Sequence, residues 1–315
     1  MSIALTATPE QRVLAEAVRD YCAAHCTEEV RRAGSGSFPW PFWRGLAELG
    51  VLSLAAPGEG GGAGDIAAAC TELGRAAAPG PLAATVFAVH ALPADLAGPV
   101  GDGTGLPSVG EPPLLPWAPL AEVFIETDGR EAWLARPVGT VQPVETLGGE
   151  PWGRAGLERL RPLERVPAAT ALSGIALAAY LWGAGRRLLG IAAEHARTRV
   201  QFGRTIGSFQ AVAHPLVTAG AALTSAEKLT TMAALAIDGG HPDGAALAAS
   251  ARLSASRAAV EAAMVAHQTL GAIGFSVEGP IGPVAQRIRQ FAASPGHAGD
   301  LGEQALARYS RKGRR

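Results

Sequence analysis

The chain has 315 residues, 48% of them hydrophobic and 17% charged, with a formal net charge of −1. That length and apolar content exclude a disordered chain and allow two or three domains around a large core. The near-neutral balance gives no electrostatic reason to expect a nucleic-acid phosphate or an anionic membrane surface as partner. Forty glycines and 23 prolines make up a fifth of the chain, above the usual share of roughly 12% but without a collagen-like period. Lys228 and Lys312 are the only lysines, a bias read as GC-rich coding and not as an arginine-specific function.

The first hundred residues read as helical. Ala4 and Leu5 are followed by Glu10, Arg12 and Glu16, so no secretory leader is expected. Thr8-Pro9-Glu10-Gln11 is a helix start: Thr8 caps, Pro9 suits the first helical position, and Gln11 reaches back as in a capping box. Val13, Leu14, Ala17, Val18, Tyr21 and Cys22 then repeat at helical spacing and predict one buried face. Cys22 and Cys26 lie four apart with His25 beside them, but no second Cys or His cluster exists to complete a metal site. They read as small core hydrophobes, no metal is expected, and an odd cysteine count suits a reducing compartment, the cytoplasm.

A second helix is predicted from Pro41 to Leu49, with Gly50 just past its end. The glycine run at 60–64 is not preceded by a strand, so it reads as a plain mobile connection and not a phosphate cradle. Helices near Asp65–Ala78 and up to Leu92 follow, the latter stopped by Pro93. Residues 97–117, dense in Gly and Pro, read as a domain junction. Beyond them Ala121–Glu126 and Glu131–Arg136 alternate around Asp128-Gly129, a hairpin signal. Weaker strands are predicted at Val138–Val144 and Leu157–Val166.

From about Ala168 the chain is helical again. Ala171–Val200, Ile206–Asp238 and Asp243–Gly271 are long, rich in small residues and suited to close antiparallel packing, with a shorter helix at Ile281–Ala292. No apolar run reaches the roughly 18–20 residues of a membrane span, and the basic tail Arg308–Arg315 reads as a solvated end. The domain expectation is a helical unit at 1–105, a β unit at 106–167 and a helical bundle at 168–315. No HExxH, GxSxG or P-loop pattern occurs.

One tract carries chemistry. Arg199-Val200-Gln201-Phe202-Gly203-Arg204-Thr205-Ile206-Gly207-Ser208-Phe209-Gln210 ends one long helix, breaks at Gly203 and starts another. A basic side chain with backbone donors at a helix junction can bind pyrophosphate; an arginine capping its own helix is the alternative. The spacing Arg199-x-x-Phe202-Gly203-x-x-Ile206-x-x-Phe209-Gln210 resembles the RxxFGxxIxxFQ signature of flavin-dependent acyl-CoA dehydrogenases. Gln268-Thr269-Leu270-Gly271-Ala272-Ile273-Gly274-Phe275 is similar to that family's QxxGGxG element, with Ala272 where the family prefers Gly. Trp43–Leu52, Ala56-Pro57-x-x-x-Gly61-Gly62 and Glu72-Leu73-Gly74-Arg75 also agree, in order, over nearly the whole chain.

The resemblance implies a mainly α fold with an N-terminal helical domain, a small β domain and a C-terminal four-helix bundle. It implies FAD as cofactor, reached across a subunit interface. Arg199 would pair with the pyrophosphate, beside Gln201 and Phe202. Ile206 and Phe209 would line the adenine end, and Gln268 with the Gly271-Ala272 backbone would complete the site.

The chain departs from the family at the chemistry. Where the family carries its catalytic glutamate stands Ala293-Ser294-Pro295-Gly296, and the alternative position, near Ser173, has no carboxylate in sequence reach. Glu158, Glu164 and Glu194 fit neither place. The TEPxxGSD-like loop and WITN-like strand that hold the flavin ring are absent. No catalytic residue is therefore assigned. The pattern resembles short subunits of heteromeric α2β2 acyl-CoA dehydrogenases from steroid-degrading bacteria. The expected function is to help oxidise a bulky acyl-CoA to its 2-enoyl-CoA. A longer homologous subunit would supply the base and ring pocket, and an electron-transfer flavoprotein or similar acceptor would take the electrons. Two other readings stand beside it: a self-sufficient homo-oligomer with an atypical base such as Glu194, and a non-catalytic structural subunit.

Overall fold

The computed structural model describes residues 7–32, 38–58, 60–276 and 279–293; Ser294-Pro295-Gly296 and the basic tail lie outside them. The first helix, α1 (Pro9–His25), starts as its sequence requires: the Thr8 hydroxyl accepts from Gln11 N and the Gln11 side chain accepts from Thr8 N. Val18 and Cys22 face inward. A short helix α2 (Glu28–Arg32) and α3 (Trp40–Glu48) follow. Gly50 sits just past α3 with φ +74°, the left-handed stop expected of glycine.

The glycine run at 60–64 departs from the expectation of a loose connection. It starts α4 (Ala63–Ala76), and the Asp238 carboxylate, 174 residues on, accepts from Ala63 N (2.6 Å) and Gly64 N (3.0 Å). Asp65 accepts from Gly62 N at 2.7 Å. A Cβ at Gly62 would run into the Asp238 carboxylate, so the glycine makes room for a remote cap that no local pattern reveals.

After α5 (Leu82–Ala91), the Gly/Pro-rich stretch at 97–117 is not a bare junction. It holds the end of α6 (Ala94–Gly101) and two strands, β1 (Pro107–Gly110) and β2 (Leu114–Pro116). Such short strands carry no readable alternation, and β1 pairs in parallel with β3 (Val123–Thr127), which is remote from it in sequence. The hairpin signal around Asp128-Gly129 is observed: β3 pairs antiparallel with β4 (Ala132–Val144), which runs on into β5 (Trp152–Pro162). The sheet order is β1-β3-β4-β5-β2. The weak strand expected at Val138–Val144 is the far end of β4, and the one at Leu157–Val166 begins five residues early, at Trp152.

The bundle is α7 (Val166–Thr198), α8 (Gln210–Asp238), α9 (Gly244–Leu270) and α11 (Gly282–Ala292), with a one-turn α10 (Ala272–Phe275) before the last. Helix α7 is long and apolar enough by composition to cross a membrane (mean hydropathy 1.4), but 78% of that stretch is buried inside the protein. A helix that is apolar all round belongs in a core, and here it packs on α9, α8 and α4.

Small residues set that packing. Added Cβ atoms at Gly74 of α4 and Gly183 of α7 would overlap the Tyr180 and Thr71 backbone carbonyls. The two helices therefore meet nearly backbone to backbone. Beside this contact the buried Glu72 carboxylate takes a two-pronged bond from Arg19 of α1, at 3.1 and 3.2 Å, and Arg75 lies over the Trp182 ring at 5.7 Å. The tract Glu72-Leu73-Gly74-Arg75 is thus a docking element between N-terminal helices and bundle. The main apolar core runs from Val18 through α4 and α7 to Phe291, and a smaller one around Leu115, Phe124 and Ala135 lies on the sheet.

Candidate cofactor site

Helix α7 ends at Thr198, and Arg199 turns extended (φ −72°, ψ 124°). Its carbonyl then accepts from Ile206 N at 2.8 Å, closing a two-stranded finger: β6 (Val200–Gln201) pairs with β7 (Arg204–Thr205). Phe202 and Gly203 form the tip, both at positive φ (+53° and +77°), as a tight hairpin turn demands. Gly203 does this without strain, whereas Phe202 is a bulky residue in a region it seldom enters. The turn leaves the Phe202 ring 91% exposed. Strain and an apolar ring in water at one position are signs of an interaction site.

The finger folds over the start of α8. Gln201, Phe202, Ile206, Phe209 and Gln268 converge on one recess, together with Val212, Pro215, Val265 and Thr269. Five of the eight residues expected from the sequence are therefore brought together from two tracts that lie about sixty positions apart. Arg199, Gly271 and Ala272 do not line it; Arg199 lies at the finger's base and the other two at the end of α9. Arg199 is the C-cap of α7 through its backbone, its N–H donating to the His195 carbonyl at 2.8 Å, but among the described residues its guanidinium has no hydrogen-bond or ion-pair partner. Its neighbour Arg197 is engaged by Glu194 at 2.9 Å.

The second tract is held in shape locally. Gly271 adopts φ +61°, ψ −135°, a conformation essentially restricted to glycine. His267 Nδ1 lies 2.9 Å from the Gly274 carbonyl and its ring stacks on Phe275 at 4.8 Å. A Cβ at Gly274 would lie 3.1 Å from the His267 carbonyl oxygen, so a side chain there needs its neighbours to give by a few tenths of an ångström. Ala272 is exposed. In or beside the same two tracts Val200, Met264, Ile273 and Phe275 are also exposed large apolar groups.

A second cavity, of about 220 Å³, lies between α5, the sheet and the bundle. Ser173 lines it, with its hydroxyl given to the Ala83 carbonyl at 2.9 Å. Three carboxylates also line it, the exposed Glu111 and Asp128 and the buried Glu150, none of them expected there from the sequence. Glu150, in the β4–β5 connection, is 4% exposed; it lies 3.4 Å from Arg287 Nε and accepts from Gln290 at 3.4 Å. Burial pushes its carboxyl up to about 8, against the opposing pull of Arg287. Arg287 also donates to the Ala77 and Arg31 carbonyls, so this pair ties sheet, N-terminal helices and last helix together. No periodicity marks a single buried acid in a connection. Glu194, by contrast, is exposed and does not line the cavity. Among the described residues no group of three or more Cys, His, Asp or Glu could hold a metal.

Comparison with known proteins shows the family and the fold. The acyl-CoA dehydrogenase N-terminal domain family matches residues 8–96 and the C-terminal domain family residues 166–300. The acyl-CoA dehydrogenase IpdE2 of Mycobacterium tuberculosis is 33% identical over 297 residues, covering 87% of this chain and 89% of that protein. This chain belongs to the acyl-CoA dehydrogenase family. Its fold is also that of the Mycobacterium tuberculosis ChsE4-ChsE5 complex (TM-score 0.82, 23% identity, 98% of each chain covered). A Tcur3481-Tcur3483 steroid acyl-CoA dehydrogenase variant shares it too (TM-score 0.83, 22% identity, 96% of this chain and 98% of that one).

FAD is the cofactor of acyl-CoA dehydrogenases, and the recess suits its adenylate half. It offers apolar and aromatic walls for a flat base, the Gln268 amide for polar contacts and, at the finger's base, the Arg199 guanidinium, unengaged among the described residues, for phosphate.

Proposed function

We propose that this acyl-CoA dehydrogenase chain is the shorter, non-self-sufficient subunit of a heteromeric enzyme. In this reading Arg199 pairs with the FAD pyrophosphate. Gln201, Phe202, Ile206, Phe209 and Gln268 hold the adenine and ribose, with the Gly271-Ala272 backbone beside them. A longer homologous subunit supplies the catalytic glutamate and the pocket for the flavin ring. When bound, FAD accepts the hydride removed from the acyl chain; this chain's residues only bind, orient and shield its adenylate half. The complex would convert a bulky acyl-CoA, with a steroid-derived one as first candidate, to its 2-enoyl-CoA in the cytoplasm. An electron-transfer flavoprotein or similar acceptor would reoxidise it.

The observation that carries this reading is the recess. Two distant tracts are folded into one largely apolar recess of about 440 Å³, with the exposed Phe202 ring at its rim. Such a rim is what remains when an interface partner is removed. The ChsE4-ChsE5 relative is named as a complex of two different chains, which supports a heteromer. The test is co-expression with a long subunit carrying an intact glutamate. Arg199→Ala in that complex should weaken FAD retention by about 1.5–3 kcal/mol, the scale of a charged hydrogen bond. Unchanged retention would count against the assignment.

One observation favours a self-sufficient enzyme: Glu150 puts a carboxyl of raised pKa on a cavity of this chain. Its engagement with Arg287 and Gln290 favours a structural role instead. Flavin and turnover from the chain alone, lost in Glu150→Gln, would establish the self-sufficient reading.

A further inference from the structure

Arg204 stands in none of the roles assigned above. It sits on β7 directly opposite Gln201, and its guanidinium carbon lies 4.1 Å from the centre of the Phe209 ring. Among the described residues it has no hydrogen-bond or ion-pair partner, so this stack is its one engagement. Phe209 also meets Phe202 edge to face, with centroids 6.2 Å apart at 87°. The ring that walls the recess is thus fixed from two sides, both supplied by the same hairpin finger.

We propose that Arg204 is a positioning residue for the adenine end of the cofactor, acting through Phe209. The inference rests on the FAD reading of the recess. A phenyl ring at a half-buried surface site samples several rotamers, and a ligand that docks on it must halt that motion. A guanidinium stacked on the ring halts it beforehand, so the wall is set before adenine arrives. The planar, weakly hydrated guanidinium suits that task better than the compact, strongly hydrated ammonium of lysine. The finger's turn does the rest: positive φ at Phe202 and Gly203 places Arg204 and Phe202 where both reach Phe209.

The experiment uses the complex with its long subunit, stripped of flavin and titrated with FAD and, separately, with FMN, which lacks the adenylate half. Arg204→Gln and Arg204→Lys should each raise the Kd for FAD about 3- to 10-fold and leave that for FMN unchanged. Phe209→Leu should do the same, and Arg204→Gln added to Phe209→Leu should cost nothing further. Wild-type FAD affinity in Arg204→Lys with loss in Arg204→Gln would overturn the proposal in favour of bare charge on phosphate. Additive effects, or equal weakening of FMN, would overturn it too. If Arg199→Ala leaves FAD affinity unchanged, the FAD reading itself fails; if only the Arg204 variants are silent, this inference alone fails.

Discussion

Single residues carry the two departures that most change how the chain is understood. Phe202 accepts an uncommon backbone conformation and keeps a largely exposed ring whose one aromatic contact among the described residues is with Phe209. Glu150 is its opposite, a buried acid deep in the fold. With its folded-state pKa raised from 4.5 to about 8 by burial, the folded protein holds a proton that the unfolded chain has lost between those values. Stability contributed by the protonated group is therefore complete below pH 4.5 and is lost as pH rises through about 8. Glu150→Gln should flatten that part of the stability–pH curve, whatever it does to the absolute melting temperature. Chemical denaturation at pH 5, 6.5 and 8 checks it, and an unchanged slope would place the titration elsewhere. The cysteines give a simpler expectation. All three are free and buried, and burial pushes Cys22 and Cys70 up to about 12. Thiol reagents should therefore modify the native protein slowly and all three thiols after unfolding.

At the scale of elements, the long helices were legible because their spacing, small residues and flanking glycines all point one way. Helix α7 begins five residues before its expected start, and Ile206–Ser208 is a single tight turn before α8. Those are end effects that local patterns locate poorly. What sequence could not reveal were partnerships over distance: β1 with β3 in parallel, Arg287 with Glu150, and Asp238 with the start of α4. The last makes a clean test. Asp238→Ala removes the acceptor for two amide donors at a helix start, and should cost about 1 kcal/mol in denaturant midpoint. The contact of α4 with α7 should be less forgiving. Gly183→Ala forces a methyl group against the Thr71 carbonyl, and overpacking of this kind costs about 1–3 kcal/mol. A neutral result would mean that the helices can part without loss.

For the whole molecule, length and apolar content allowed two or three domains around a large core. The motif tracts suggested a family member without its base, and both tracts fold into one recess at the surface. The residues of the recess were legible as a pattern, since Gln201, Phe202, Ile206, Phe209 and Gln268 are the ones brought together in it. It was not legible that Arg199 stays outside the recess lining, or that Arg204 braces Phe209, because both depend on how the hairpin finger folds. The central claim is that this chain holds half of a flavin site. It is tested most directly by the flavin absorbance of the purified chain alone, and of the same chain co-purified with a long subunit. The account predicts a colourless single chain and a yellow complex that loses its flavin in Arg199→Ala. A yellow single chain that oxidises acyl-CoA would contradict it.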